Sequence, residues 1–192
     1  QATYKQTDIL KAYKEAEELV NMGKYAIAQP FLIDFIQKYD TKTLDKSNLI
    51  YADAIFLRAL CEKETASPEA EKDLQFFADN YKGHPKTNLA YFHLGDIAFG
   101  KANYNDALAF FEKVDEKTLS GKDLFEFQYK RAFSNFALKK FAQARTYFNE
   151  ISNNKKHPYF EESFYYSGLC SYYLKNYNAA YKSFQTLETS KK

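Results

Sequence analysis

The sequence contains few of the residues on which disulfide-rich, metal-binding and nucleotide-binding folds depend. Its 192 residues include two Cys, one Met, six Gly, four Pro and no Trp. Two Cys cannot build a disulfide framework or a cysteine-rich zinc site. Six Gly and four Pro are also too few for the many turns of a β-sandwich or for a glycine-rich dinucleotide fold.

Neither sign of charge dominates, and long apolar runs are absent. The chain has 27 Lys and Arg against 25 Asp and Glu, which gives a formal net charge of +2. This balance provides no positive footprint for nucleic acid and no polybasic signal for an anionic membrane. No run approaches the ~18 apolar residues that a membrane-spanning helix needs. We therefore expect no nucleic-acid partner and no membrane span in this chain.

Catalytic and cofactor motifs are missing as well. The sequence has no glycine-rich phosphate loop, no HExxH and no GxSxG. Cys61 and Cys170 are expected to be small buried residues on helices, and His93 to be structural. His84 and His157 are expected to be exposed turn residues. The chain is therefore predicted not to be an enzyme and to hold no metal and no cofactor.

Aromatic residues are abundant, because 18 Phe and 17 Tyr make up 18% of the chain. Many belong to a recurring pattern: an aromatic residue, two further residues, an Ala, and an aromatic residue or Leu three to four positions later. We call the Ala of each copy the anchor alanine. Each copy follows a second stretch with helical periodicity, so each unit is predicted to be two short helices joined by a tight turn that must stack on its neighbours. The anchor alanines are Ala28, Ala70, Ala107, Ala144 and Ala180.

The copy Leu94-Gly95…Ala98…Tyr104…Ala107…Phe111 resembles the motif of the tetratricopeptide repeat (TPR) family. The resemblance extends over about residues 8–190 and implies an all-α fold, a right-handed α-solenoid of about five helical hairpins forming a single domain. The second copy departs from the motif, because it lacks the small-residue pair and the turn aromatic. The hairpins are expected near residues 8–40, 48–82, 87–115, 122–152 and 159–190.

The resemblance also implies a concave groove lined by the first helix of each hairpin. In the family geometry its residues lie 18, 15, 11, 8 and 7 positions before each anchor alanine. Eight of the fifteen such residues in the last three hairpins are aromatic, against one of ten in the first two. An aromatic trough suits an extended peptide or an amphipathic helix. The residues predicted to bind a protein or peptide there are Phe92, Asp96, Phe99, Tyr129, Phe133, Phe136, Tyr165, Tyr172 and Tyr173.

Two other functions stay open. The groove aromatics can instead pack between hairpins of a longer repeat array that has no groove ligand, in which case Phe184 and Leu187 would contact a further repeat or another copy end to end. Alternatively, Tyr129, Tyr172 and Tyr173 can stack on the sugar faces of a glycan, for which exposed parallel rings would be needed.

The location of the protein is predicted from a looser resemblance. The helix ends Phe31…Phe35-Ile36…Tyr39 and Phe76-Phe77…Tyr81…Pro85 are similar to those of repeat scaffolds in bacterial envelopes. The first residue is Gln1, which is compatible with removal of a signal peptide. We therefore expect a bacterial protein that is periplasmic or secreted, with a cytoplasmic location still open.

Overall fold

The computed structural model describes residues 2–38 and 49–190 of the chain. In these two ranges the regular structure is entirely helical, with ten α-helices, one short 3-10 helix at Glu116–Thr118 and no strand. The predicted all-α fold class is thus confirmed. The α-helices are α1 (Ala2–Asn21), α2 (Tyr25–Lys38), α3 (Leu49–Glu64), α4 (Ala70–Asn80), α5 (Thr87–Gly100), α6 (Tyr104–Phe111), α7 (Gly121–Ala137), α8 (Phe141–Ser152), α9 (Phe160–Tyr173) and α10 (Tyr177–Ser190).

Consecutive helices pair as hairpins. Helix α1 packs on α2, α3 on α4, α7 on α8 and α9 on α10. In the third hairpin, Gly95 of α5 lies against Phe111 of α6. The first hairpin begins at Ala2, six residues before its predicted start, and the other hairpin bounds lie within four residues of the predicted ones.

The contacts among the helices define two compact units. The first extends to Leu94 and the second begins at Gly95, so the division falls inside α5. In the first unit, α3 packs against both α1 and α2; in the second, α7 packs on α6, and α9 on both α7 and α8. Within each unit, stacking of one hairpin on another buries the apolar stripes that a single hairpin would leave in water.

Each hairpin turn contains one residue with a positive φ. In the fourth hairpin this residue is Lys139, whose amide donates to the carbonyl of Phe136 at 2.9 Å, while the next amide, of Lys140, donates to the carbonyl of Asn135 at 2.9 Å. This pair of bonds ends the first helix of the hairpin. The same two bonds recur in the other four turns, and the residues with positive φ are Gly23, Ala66, Ala102, Lys139 and Lys175.

The anchor alanines are buried where the two helices of a hairpin cross. A second small residue lies twelve positions before four of the five anchors, and in the third and fifth hairpins it lies against a Phe ring of the second helix. In the second hairpin this position is occupied by Arg58 instead. The four small residues are Ala16, Gly95, Ala132 and Gly168.

The two cysteines are fully buried, as predicted, and both are free thiols. Burial is the main cause that raises the pKa of each thiol, Cys61 and Cys170, to about 11. Both side chains therefore serve as small apolar packing groups at neutral pH. His93 is also buried, and its ring packs against the rings of Phe56 and Phe92.

The prediction that His157 is an exposed turn residue is wrong. Its side chain is 4% exposed, Nδ1 accepts a hydrogen bond from the amide of Tyr159 at 3.1 Å, and Nε2 lies 3.2 Å from Oε1 of Gln128. The ring meets Phe125 edge to face at 4.6 Å between centroids. The imidazole is buried because it satisfies a free amide near the start of α9 and fills an aromatic gap at once.

The prediction of exposure is wrong for His84 as well, since its side chain is only 6% exposed. Its Nδ1 accepts a hydrogen bond from the amide of Lys86 at 3.2 Å, and its ring meets Phe77 edge to face. The two His-Pro turns thus use the ring in the same way, each just before the first helix of the next hairpin.

Candidate partner-binding site

Nine residues were predicted to line the groove, and the structure places them in different surroundings. Phe92 belongs to the first unit; it is 3% exposed and packs on His93, so its ring offers little surface to a partner. The other eight residues belong to the second unit.

Asp96 and Phe99 of α5 contribute to the contact with α7. Lys130 Nζ lies 2.5 Å from Asp96 Oδ1 and 2.8 Å from Glu126 Oε2. The same ammonium group lies 5.8 Å from the centroid of the Phe99 ring, and Phe133 meets that ring edge to face at 5.8 Å. These contacts tie the third hairpin to the fourth.

The electrostatics of this contact depend on the two hydrogen bonds of Lys130. Burial alone would lower the pKa of Lys130, but the bonds to Asp96 and Glu126 outweigh it and the pKa is raised. Burial alone would raise the pKa of Glu126, but hydrogen bonds from Lys130 and from the Tyr159 hydroxyl, at 2.8 Å, outweigh it and the pKa is lowered. The carboxylate and the ammonium group therefore stay charged over a wide pH range.

The aromatic residues of α7 are largely covered by the next hairpin. Tyr166 of α9 meets Phe133 at 5.3 Å and Phe136 at 5.1 Å between ring centroids, both edge to face. Tyr129 stacks on Tyr159 at 4.1 Å with an angle of 17° between the rings. Burial is the main cause that raises the pKa of Tyr129 above its usual range. Packing between hairpins thus occupies much of the predicted groove surface on α7.

The corresponding residues of α9 are open to solvent. Tyr165 and Tyr172 stand in the same positions relative to Ala180 as Tyr129 and Phe136 do relative to Ala144. Tyr165 is 45% exposed and Tyr172 is 56% exposed, and Tyr173 beside it is 54% exposed.

Neighbouring aromatic rings hold these tyrosines in place. Tyr173 stacks on Phe141 at 4.5 Å with an angle of 14° between the rings, and Tyr172 meets Tyr177 at 5.7 Å. Tyr177 is exposed as well. We call Tyr165, Tyr172, Tyr173 and Tyr177 the tyrosine face.

Two hollows flank the tyrosine face. The larger, of about 460 Å³, is lined by Phe136, Ala137, Lys139, Phe141 and Tyr173. The smaller, of about 290 Å³, is lined by Tyr129, Glu161, Glu162, Tyr165, Tyr166 and Leu187. Each can receive one or two apolar side chains, and the smaller one has two carboxylates at its rim.

The sequence analysis did not identify three residues that shape this site: Tyr166, Phe141 and Tyr177. Tyr166 lies fourteen positions before Ala180, and Lys130 lies fourteen positions before Ala144. Tyr166 contacts Phe133 and Phe136, which lie eleven and eight positions before Ala144. Lys130 likewise contacts Asp96 and Phe99, which lie eleven and eight positions before Ala107. An aromatic or basic residue fourteen positions before an anchor alanine therefore indicates that groove residues of the preceding hairpin are covered.

Comparisons with known proteins agree with this arrangement of hairpins. The family model described as tetratricopeptide repeat matches residues 126–154. A crystal structure of MamA from AMB-1 is 15% identical, with a TM-score of 0.73 over 96% of this chain and 92% of that one. A kinesin light chain candidate from Podosopora anserina, with nearly identical TPR-like repeats, is 14% identical, with a TM-score of 0.65 over 95% of this chain and 93% of that one. A search of curated proteins gave no sequence match.

The chain therefore contains a tetratricopeptide repeat at residues 126–154. The predicted family is confirmed, and the fold class is that of TPR solenoid proteins. The matched TPR segment begins in α7 and extends through α8, so it includes three predicted groove residues of α7, namely Tyr129, Phe133 and Phe136.

Within residues 2–38 and 49–190, His, Cys, Asp and Glu form no group of three or more that could hold a metal ion. No helix in those ranges combines the length and the apolar character needed to cross a membrane. TPR arrays present extended surfaces to other proteins, and the fold therefore indicates a protein–protein interaction scaffold.

Proposed function

We propose that this TPR protein is a non-catalytic scaffold that binds a segment of another protein on its tyrosine face. The observation that carries the proposal is the contrast between α7 and α9. Phe136 is covered by Tyr166, whereas Tyr172, in the same repeat position, is 56% exposed.

The tyrosine face has the composition of a protein-binding surface. Tyrosine offers a large contact area with few rotatable bonds, and its hydroxyl group tolerates water, so it is enriched at binding hot spots. Tyr173 is held against Phe141 and Tyr172 against Tyr177, so little side-chain entropy is left to lose on binding. Glu161 and Glu162 at the rim favour a segment that has basic residues beside its apolar ones.

The geometry favours a protein segment over a glycan. Stacking on successive sugar faces needs exposed rings that lie parallel, and the rings of Tyr172 and Tyr173 are inclined at 74° to each other. One face of the Tyr129 ring is already stacked on Tyr159. The three tyrosines therefore do not form a common platform.

Docking of a second copy is an alternative occupant of the same surface. Tyr166 covers Phe133 and Phe136, and an equivalent side chain from another hairpin would cover Leu169 and Tyr172 in the same way. Analytical ultracentrifugation over a hundredfold concentration range separates the two occupants. Self-association that is lost on Tyr172→Ser would favour the second copy, whereas a monomer throughout would favour a different partner protein.

Selection of a random peptide library displayed on phage tests the proposal directly. The bait is the full chain, and the comparison is a Tyr165→Ser/Tyr172→Ser variant. A matched control is Met22→Ser/Ile27→Ser, since these two apolar side chains are 65% and 56% exposed and lie in the first unit, away from the tyrosine face. Circular dichroism checks that both variants remain folded.

We expect selected peptides to be rich in aromatic and aliphatic residues and to bind the wild type with micromolar affinity. Loss of two tyrosine hot spots should weaken binding by about thirtyfold or more, whereas the control should bind as the wild type does. A library that yields no binder, or binders that do not respond to the Tyr165→Ser/Tyr172→Ser change, would contradict the proposal.

The location of the protein is a separate proposal. We propose a bacterial envelope location, periplasmic or secreted, supported by the similarity of the helix ends to envelope repeat scaffolds. Fractionation of the source cells with an antibody against the chain tests it, and a purely cytoplasmic signal would overturn it.

A further inference from the structure

The second hairpin departs from the packing rule that the other four hairpins follow. Twelve positions before the anchor alanine, where the others have Ala or Gly, it has Arg58 on α3. A guanidinium group cannot fit into a tight helix crossing, and its side chain extends to α4 instead, where it binds Asp73. Arg58 remains partly accessible, with 27% of its side chain exposed.

A cleft of about 800 Å³ lies beside Arg58 in the first unit. Ile36 of α2, Ile55 of α3 and Phe76 of α4 form its apolar middle, and Phe76 is 50% exposed. Tyr51 near the start of α3, and Asn80 and Tyr81 at the end of α4, also line the cleft. Arg58 and Asp73 line it about one helical turn from Ile55 and Phe76. The cleft is lined by α2, α3 and α4 of the first unit. The tyrosine face belongs to the second unit and lies mainly on α9.

Two carboxyl groups lie close to one guanidinium group at the Arg58 end of the cleft. The guanidinium group serves two carboxylates, because it binds Asp73 and its Nε also lies 3.6 Å from Oε1 of Glu62. Glu62 is 7% exposed, and its pKa is raised, first by burial and then by the nearby carboxylate of Asp73. The two carboxyl groups thus share one guanidinium group.

We infer that this cleft is a second protein-binding site, which takes a lysine or arginine side chain next to a large apolar side chain. The basic group would lie against Asp73 and give the two carboxyl groups a second cation. The apolar neighbour would lie among Ile36, Ile55 and Phe76. A partner carboxylate is not favoured, because Arg58 already has two acidic partners of its own.

The aromatic wall of the cleft supports the same chemistry. The stem of a lysine or arginine packs well on an aromatic ring, and its charge is attracted to the ring face. The exposed ring of Phe76 lies one helical turn after Asp73 on α4, so a side chain that contacts the carboxylate can also cross the ring.

Two short probes test the inference by NMR: acetyl-Leu-Lys-amide and acetyl-Leu-Glu-amide, titrated into the ¹⁵N-labelled full chain. We expect the lysyl probe to bind about fivefold more tightly than the glutamyl probe, in keeping with one partly exposed ion pair. Its shift changes should centre on the amides of Arg58, Asp73 and Phe76.

Variants connect the preference to named groups. Asp73→Asn keeps the shape of the side chain, removes its charge and should make the two probes bind equally. Phe76→Ala should weaken both probes. The matched control on α4 is Lys72→Gln, whose side chain is 78% exposed and does not line the cleft; it should change neither affinity.

Three results would overturn the inference. They are equal binding of the two probes to the wild type, tighter binding of the glutamyl probe, and shift changes confined to residues outside the cleft. Because the cleft and the tyrosine face lie in different units, failure here would leave the peptide-binding test of the tyrosine face unaffected.

Discussion

Gly168 of α9 lies against the ring of Phe184 of α10 so closely that a β-carbon on the glycine would stand 2.6 Å from Cε1 of that ring. Gly95 and Phe111 have the same relationship, with a distance of 2.4 Å to Cε1. Side-chain carbons do not approach other atoms this closely. The two helices of the third and fifth hairpins therefore cross at a separation that only glycine permits.

Replacing Gly168 by Ala should destabilise the protein by about 1–3 kcal/mol, because the added methyl group must displace a packed aromatic ring. The matched control is Gly100→Ala, where no side chain or distant backbone atom lies within 4 Å of the new carbon. That change should be neutral or should stabilise by up to about 1 kcal/mol, since Ala favours a helix. Urea unfolding of the two variants measures both effects. Equal destabilisation by both would show that the ring does not set the helix separation.

The turn residues with positive φ predict stabilising substitutions. Lys139 and Lys175 hold φ values of 59° and 60°, a conformation in which a β-carbon is strained. Lys139→Gly and Lys175→Gly should each stabilise the protein by about 0.5–1 kcal/mol, the relief of strain being partly offset by the greater freedom of glycine in the unfolded chain.

The control for these turn substitutions is Ala142→Gly, an exposed position inside α8. Glycine at this helical position should lower the free energy of unfolding by about 0.5–1 kcal/mol. Thermal unfolding followed by circular dichroism compares the three variants. If Lys139→Gly lowers the melting temperature as Ala142→Gly does, the positive φ of Lys139 is not a strain that glycine relieves.

The ammonium group of Lys130 neutralises two carboxylates between the third and fourth hairpins. Lys130→Met removes the ammonium group that binds both Asp96 and Glu126 and should destabilise the protein by about 1–3 kcal/mol at pH 7. Lys72→Met is the matched control, because the ion pair of Lys72 with Glu69 is exposed and should contribute less than about 0.5 kcal/mol.

The effect of Lys130→Met should also depend on pH. The pKa of Glu126 is lowered in the folded protein from an ordinary value of 4.5, so the stabilisation it reflects is present above pH 4.5 and is lost as the pH falls through the folded-state pKa. The difference between wild type and variant should therefore narrow below about pH 4.5 in urea unfolding. A difference that stays constant with pH would mean that lost side-chain packing, and not charge, explains the effect.

His157 makes stability depend on pH in a second range. Burial lowers its pKa below the ordinary 6.5, so the folded protein favours the neutral ring. Its contribution is present above pH 6.5 and is lost as the pH falls through the lowered value. His157→Asn keeps a side-chain acceptor for the amide of Tyr159 but does not titrate. The wild type should lose more stability than this variant between pH 7.5 and pH 5.5, and identical losses would exclude His157 as the cause.

The repeat pattern predicted the helices well because each hairpin repeats the same local requirements. Ala107 and Ala144 are fully buried at their crossings, as a small anchor residue implies. Exposure in the groove was harder to predict. Phe136 and Tyr172 occupy the same repeat position, but Tyr166 covers Phe136, whereas Tyr172 is exposed. A neighbouring hairpin decides that difference, and the position of a residue within its own repeat does not reveal it.

His157 and Arg58 show two further limits of pattern reading. A histidine before a proline in a polar turn is expected in water, but its ring can accept an amide hydrogen and fill an aromatic gap at the same time. Arg58 appears in the sequence only as a mismatch to the repeat. Its two acidic partners lie one turn along α3 and across on α4, a combination that requires the fold to be known.

The hairpin turns also bear on how the chain folds. Each is closed by backbone bonds between residues three and five positions apart, so little chain entropy is lost in forming it. Low average sequence separation between contacting residues is associated with rapid folding. Several hairpins can therefore act as independent nuclei, and folding can begin at more than one place along the chain and spread to neighbouring hairpins.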